Sequence, residues 1–319
     1  MTAEQGRVTS RRQALRLGGA VGGLAAAAPL LGTVSSSAAE AATSSSAKLP
    51  VKLIEQIIEV QGMVTEGVLQ IEIDRDDIPD VHKEGVPIKP AFEINGTVCF
   101  QALSDGSVML NGDMAFKAEE LNPAIDQMLK HGLVWQAMHQ HLWGLQPMVW
   151  FMHFRGRGRA RKLAEAVRAV LSVTSTPLPQ APPAHPTTPL DAKRLSKIIG
   201  QPATVGASGV VTIDVPRRDR IILGGVRISP ELNVFTPVSF EPLGGSKAVV
   251  VPDFGMTASE IQKVAAVMRA QGWEQDCLYN QETDEHPQLY FDHMFKVGDA
   301  YQLAQEVRRG LEQMNVVIH

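Results

Sequence analysis

Cysteine is almost missing from this chain. Cys99 and Cys277 are the two present among 319 residues, which excludes a disulfide framework and leaves open a single bond between them. Their spacing is not that of a zinc knuckle, and neither follows a signal peptide as a lipid-attachment cysteine would. A basic tract is missing from residue 43 onward. With a formal net charge of −4, the chain carries no electrostatic footprint for a phosphate backbone, which excludes nucleic acid as a partner. Beyond residue 42 no apolar run is long enough to span a bilayer. Also missing are a Gly-x-Ser-x-Gly elbow, a Walker loop and a dinucleotide fingerprint. What is there, 44% hydrophobic and 20% charged residues, suffices for one or two ordinary soluble cores.

The N-terminus reads as a targeting segment. Ser10-Arg11-Arg12-Gln13-Ala14-Leu15-Arg16 is a twin-arginine motif, followed by an apolar Gly/Ala/Leu stretch to about Leu31 and by small residues, with Ala39-Glu40-Ala41 as a cleavage site. Residues 1–42 are therefore expected to be a signal peptide. The mature protein is expected to be exported through the twin-arginine pathway, periplasmic or secreted, without stable membrane insertion after cleavage. An uncut anchor is the competing reading, disfavoured by a stretch that is short and poor in large residues. Because this pathway carries folded proteins, it suits a cofactor inserted before export.

The rest of the chain repeats itself once. Residues 85–171 align without a gap on 225–311 at an offset of 140, with 22 identities over 87 positions. Shared positions include Gly85/Gly225, Asp113/Asp253, Glu120/Glu260, Gly132/Gly272 and His153/His293, which read as turns, caps and core. The first repeat is expected over 43–171 and the second over 193–319, joined by a Pro-rich linker at 172–192. In each, a short helix precedes strands such as Val68–Asp74 and Val210–Val215, whose alternation and β-branching fit a half-buried strand. Each of those strands is followed by Arg-x-Asp, Arg75/Asp77 and Arg217/Asp219, read as a structural salt link. A capping box at Thr257–Glu260 and an apolar stripe predict a helix ending at Gly272, matched by one ending at Gly132. A strand hairpin and a closing helix follow. The fold class predicted is α+β: two tandem homologous βββαββα-type units, each a mainly antiparallel sheet with helices on one face, related by a pseudo-twofold.

Metal chemistry would sit where the copies differ. His139 and His141 face Tyr279 and Gln281 in the second copy, and Glu93 faces Asn233, so the second site is read as degenerate. Two histidines two apart in a strand project from one face. If the hairpin pairs residues whose numbers sum to 292, His153 lies opposite His139. Three neutral imidazoles on rigid strands are a zinc set with a fourth position left for water, substrate or a carboxylate. Glu93 is the candidate for that carboxylate, as ligand or base, and zinc the expected divalent metal. The competing readings are a solvated Glu93 and histidines that are packed and hydrogen-bonded. Asp113 and Glu120 read as turn and helix-cap groups, with a supporting role at the site as the alternative. Arg155-Gly156-Arg157-Gly158-Arg159 reads as a solvated basic run.

Gly112-Asp113 before a helix containing Glu120, then His-x-His, a proline and a later histidine before a closing helix, resembles the LppY/LpqO family of exported bacterial proteins. That resemblance, covering about 50–315, implies an extracytoplasmic setting and no established activity. The histidine spacing is also similar to the zinc set of acetolactate decarboxylase, as an analogy of spacing only. The expectation is an exported metal-binding protein, read as a metal-dependent hydrolase or lyase acting on a small polar substrate. The alternative is a non-catalytic ligand- or metal-binding protein. Its partner would be a small molecule, and its oligomeric state is not written in the sequence.

Overall fold

The computed structural model describes residues 48–319. The twin-arginine motif and the cleavage site lie outside those residues. No helix among the described residues is long and apolar enough to cross a membrane.

The first repeat runs α1 (Val51–Ile58), β1 (Met63–Thr65), β2 (Val68–Asp74), β3 (Asn95–Ala102), β4 (Val108–Phe116), α2 (Leu121–Lys130), β5 (Val134–His139), β6 (Trp150–Gly158) and α3 (Ala160–Leu171). The second runs α4 (Ala192–Ile199), β7 (Thr204–Val205), β8 (Val211–Val215), β9 (Thr236–Gly244), β10 (Lys247–Pro252), α5 (Ala258–Ala270), β11 (Glu274–Tyr279), β12 (Phe291–Asp299) and α6 (Ala300–Leu311). Each builds a six-stranded antiparallel sheet, in the order β1-β2-β3-β4-β6-β5 and, equivalently, β7-β8-β9-β10-β12-β11. These are the two α+β units expected, with helices on one face.

Alternation along the strands decides what each face does. Leu69, Ile71, Ile73, Val98, Phe100 and Leu110 point outward into a core closed by the first repeat's helices. On the opposite face Val68, Cys99 and Met109 pack against Ile221, Leu223, Ile228 and Leu232 of the second repeat. A second such cluster joins Ile78, Ile88, Phe92 and Phe151 to Val249, Val251 and Phe295. The two sheets are therefore packed through their helix-free faces. Lys83, in the arm between β2 and β3, reaches Glu274 at 3.0 Å and Asp276 at 3.2 Å across that junction. The arm of the second repeat, 221–234, covers the first sheet in return. This reciprocity is what a two-fold relation requires.

Local chemistry explains the shared frame. In α2 the stripe Leu121, Ala124, Ile125 and Met128 faces the core. The helix ends where Gly132 takes φ +74 and the Leu133 amide returns to the Met128 carbonyl at 2.9 Å, an ending that a left-handed residue permits. Arg75 bonds Asp77 at 2.8 Å and Glu120 at 2.8 Å. Arg217 repeats both links, to Asp219 at 2.6 Å and Glu260 at 2.8 Å. The Pro-rich linker is tied down: the Gln180 side chain accepts from the Asp74 amide at 2.9 Å and donates to the Asp74 carbonyl at 2.9 Å.

Candidate metal centre

One row of paired residues crosses each sheet on its inner face. In the first, Glu72 pairs Thr97, Thr97 pairs Asp113, Asp113 pairs His153 and His153 pairs Ala137. In the second, Asp214 pairs Pro237, the Asp253 amide donates to the Pro237 carbonyl, Asp253 bridges His293, and His293 pairs Cys277. Directly paired residues share a face, so each row presents its carboxylates and its imidazole toward the other sheet. Gly112 makes the placement possible in the first: a Cβ there would lie 2.6 Å from the Phe154 ring. Phe154 thus seats on the outer face while Asp113, one residue on, turns inward.

The hairpin register differs from the sum of 292. His139 lies opposite Phe151 and His153 opposite Ala137, because Gln146 does not centre a tight turn: its amide and carbonyl both bond His82 at 2.9 Å, and the connection between the strands is longer. A separate bulge at Gln136, whose side chain donates to Glu282 of the other repeat at 2.5 Å, interrupts the pairing farther along. His141 lies past the end of β5, in the connection to β6. Glu93 closes a single helical turn, Pro90–Glu93, and not a strand.

Those elements nonetheless bring His139, His141 and His153 together, each offering a nitrogen within 4.8 Å of the others. His139 Nε2 is 2.8 Å from His153 Nε2. The two oxygens of Asp113 lie 3.3 Å from His141 Nε2 and 3.5 Å from His153 Nε2. Donors bound tetrahedrally to one zinc stand roughly 3.3 Å apart, given metal bonds of about 2.0–2.1 Å. The observed 2.8–3.5 Å spacings bracket that value. Glu93 stands on the other side of His141, 3.2 Å from Nδ1, the placement of a carboxylate that orients a ligating imidazole.

Protonation sharpens the picture. Burial pushes His139 down to about 4 and His153 down to about 3, and drives His141 and His293 well below the ordinary imidazole range. Burial, reinforced by Asp253 and Asp113, lifts Glu93 well above the carboxylate range. A neutral imidazole has one N–H. With that N–H on Nδ1, 3.2 Å from Glu93, the Nε2 lone pair of His141 faces the Asp113 carboxylate. His141 Nε2 and Asp113 Oδ1 are both buried and make no hydrogen bond. Two acceptors facing each other in a buried site are unfavourable unless a cation or proton lies between them. The residues fit a divalent ion.

The second repeat enters the same site. Tyr279 stacks on His139 with centroids 3.6 Å apart, and His293 on His141 at 4.1 Å. Glu93, His141 and His293 form another group of donors within 4.8 Å. Cys277 Sγ lies 3.4 Å from His293 Nδ1 and 3.9 Å from His139 Nδ1. It is a free thiol, as is the buried Cys99. Sequence reasoning gave Asp113 at most a supporting role, whereas it directly faces His141 and His153, and it missed the entry of His293, Asp253, Tyr279 and Cys277. Retention of both an aspartate and a histidine in the two copies was the available signal. Glu120 lies away from the site, accepting from the Lys117 amide at 2.8 Å as a cap.

A cavity of about 300 Å³ adjoins this centre, lined by Glu93, Asp113 and His141 from one repeat and by Asp253, Gln281 and His293 from the other. It extends between the sheets to Met63, Thr65 and Thr204 of the edge strands.

The sequence model of the family described as "Domain of Unknown Function (DUF1259)" matches residues 52–173 and again 193–313. The chain belongs to this family. That double match replaces the LppY/LpqO resemblance read from the sequence, which the family comparison does not support. No curated protein matches the chain. A solved structure, that of a trimeric bacterial microcompartment shell protein PduB, matches 80% of this chain and 95% of its own at 10% identity and a TM-score of 0.21. A likeness that weak carries no argument.

Proposed function

We propose that His139, His141 and His153, with Asp113, hold a divalent ion, and that the protein is an exported metal-binding protein acting as a metal-dependent hydrolase or lyase on a small polar substrate. The observation carrying this is the convergence of His141 Nε2, buried and without a hydrogen bond, on the Asp113 carboxylate, whose Oδ2 is 3.3 Å away and whose other oxygen is likewise buried and unpaired, beside two further imidazoles. Three nitrogens and one carboxylate suit zinc. When bound, such an ion lowers the pKa of water or polarises a carbonyl. Asp113 and His141 border the cavity, so a small molecule would approach from their side, while Glu93 fixes the His141 ring and its tautomer. Burial keeps all three imidazoles neutral near pH 7, the form that binds metal.

A non-catalytic ligand- or metal-binding protein is the second reading. Asp113 favours it, because a fourth protein donor makes a closed sphere of the structural type.

The test is elemental analysis of the mature protein, purified without an affinity tag, beside the His139→Ala/His141→Ala variant. The expected result is about one equivalent of metal, lost in the variant while the circular dichroism persists. No metal in either after reconstitution with zinc would sink this reading. Turnover of neutral esters and lactones by loaded but not chelated protein separates the enzyme from the binding protein. Retention in the cytoplasm on replacing Arg11 and Arg12 by lysine checks the export step.

A further inference from the structure

The cavity has a second chemical feature, at its edge-strand end. Glu72 and Asp214 begin the two rows and face the cavity from opposite sheets. Each is two strands away from the aspartate of its own row, roughly 10 Å at about 4.8 Å per strand. Among the described residues, five carboxylates line this space, Glu72, Glu93, Asp113, Asp214 and Asp253, and no lysine or arginine does. Glu72 receives one hydrogen bond, from Asn95 Nδ2 at 3.0 Å. Asp214 Oδ1 is buried and makes none. Asp253 is 7% exposed, and its Oδ1, on the same cavity, also lacks a hydrogen bond.

Charge decides what fits. A dication at the histidine centre would be faced by Asp113 at that end of the cavity, while Glu72 and Asp214 at the other end have no cation beside them. Glu72 is exposed on the cavity wall, yet desolvation by the protein around it, with Asp74 adding to it, lifts it to about 7. Burial, then Glu231, lifts Asp214 to about 7. An anionic ligand would be repelled along the whole length, and a neutral one would desolvate carboxylates without pairing them. A hard metal ion prefers six or more oxygen ligands, whereas two carboxylates from opposite walls suit the three N–H donors of an ammonium group.

We propose that this cavity takes a small organic cation, its ammonium group held by Glu72 and Asp214 and its remaining polar groups reaching toward Asp113 and His141. The ammonium contact stands on the two carboxylates alone. That the far end is the reacting end rests on the metal reading above.

The experiment is calorimetric titration of the untagged mature protein with three probes of equal length, 1,5-diaminopentane, 1,5-pentanediol and glutarate, with metal content measured on the same sample. The diamine binds and the other two do not. Glu72→Gln/Asp214→Asn weakens the diamine at least about tenfold, the loss expected for charged hydrogen bonds, with metal content and circular dichroism unchanged. Equal binding of glutarate or the diol, undiminished diamine affinity in the double variant, or displacement of the diamine by calcium at lower concentration overturns the proposal. A sample that takes up no metal after reconstitution with zinc yet binds the diamine through Glu72 and Asp214 sinks the metal reading and leaves this one standing. A metal-loaded sample that ignores the diamine does the reverse.

Discussion

At equivalent places the two repeats make the same contacts with different chemistry. Glu93 meets His141 through a carboxylate and an imidazole 3.2 Å apart; in the second copy the Asn233 carbonyl accepts from the Gln281 amide at 2.6 Å. His139 aims at His153; its counterpart Tyr279 instead donates to Asp253 at 3.5 Å. The backbone frame keeps both sets in register, while ionisable donors have been exchanged for neutral ones in the second. The second copy is therefore not a spent site set apart from the first. Its Tyr279 and His293 stack on the first copy's imidazoles and close the wall of one shared centre.

The comparison breaks most severely if the frame itself is not shared. Arg75 and Arg217 each join two acids with a side chain 1% exposed. Removing one partner of a buried pair leaves uncompensated charge, a loss of about 3–5 kcal/mol. Arg75→Met and Arg217→Met should therefore each lower the urea midpoint by a similar amount. A loss at one site with none at the other would show that the repeats do not use this link alike.

A smaller and sharper effect concerns metal alone. Glu93→Gln keeps the shape but weakens the hold on His141, and loss of such a supporting carboxylate costs about 10–100-fold in metal affinity. Asn233→Gly, at a residue with φ +61, keeps the carbonyl that Gln281 uses and should leave metal affinity unchanged. Competition titration with a chromophoric chelator reads both. Equal effects would remove the asymmetry between the copies.

Much of this frame was legible because it is local. Caps, glycine endings and alternating strands name themselves in a repeat seen twice, and the Arg-x-Asp links are short range. The site was legible only in part. Treating residues common to both copies as scaffold was right for Glu120, which caps a helix, and missed the role of Asp113, which faces His141 and His153. Nothing local announces that Gln136 leaves the strand to reach Glu282, since the partner is 146 residues away. The entry of His293, Tyr279 and Cys277 likewise depends on how two sheets meet, a long-range consequence of apolar faces that strand alternation specifies without naming their partner.

The smallest predicted effect tests whether the two rows are equivalent at their acidic ends. Glu72 and Asp214 rise from 4.5 and 3.8 to about 7 in the folded state. A raised carboxylate contributes stability that is fully present below its unfolded pKa and lost as pH climbs through the folded value. The parent protein therefore loses this contribution between about pH 4 and pH 7, and Glu72→Gln/Asp214→Asn, which cannot titrate there, does not. Measured without metal or amine, the double variant should gain on the parent across that window. The gain should be about 1 kcal/mol, well below the full linkage value, because Glu72 is exposed and Asp214 only partly buried, so that solvent screens both. Asp214→Asn alone should supply the larger share, since its Oδ1 is buried without a partner while Glu72 is wet. A pH-independent difference between parent and variant would mean that the acids at the mouth are not held in the strained, charge-poor setting that makes them receptive to a cation.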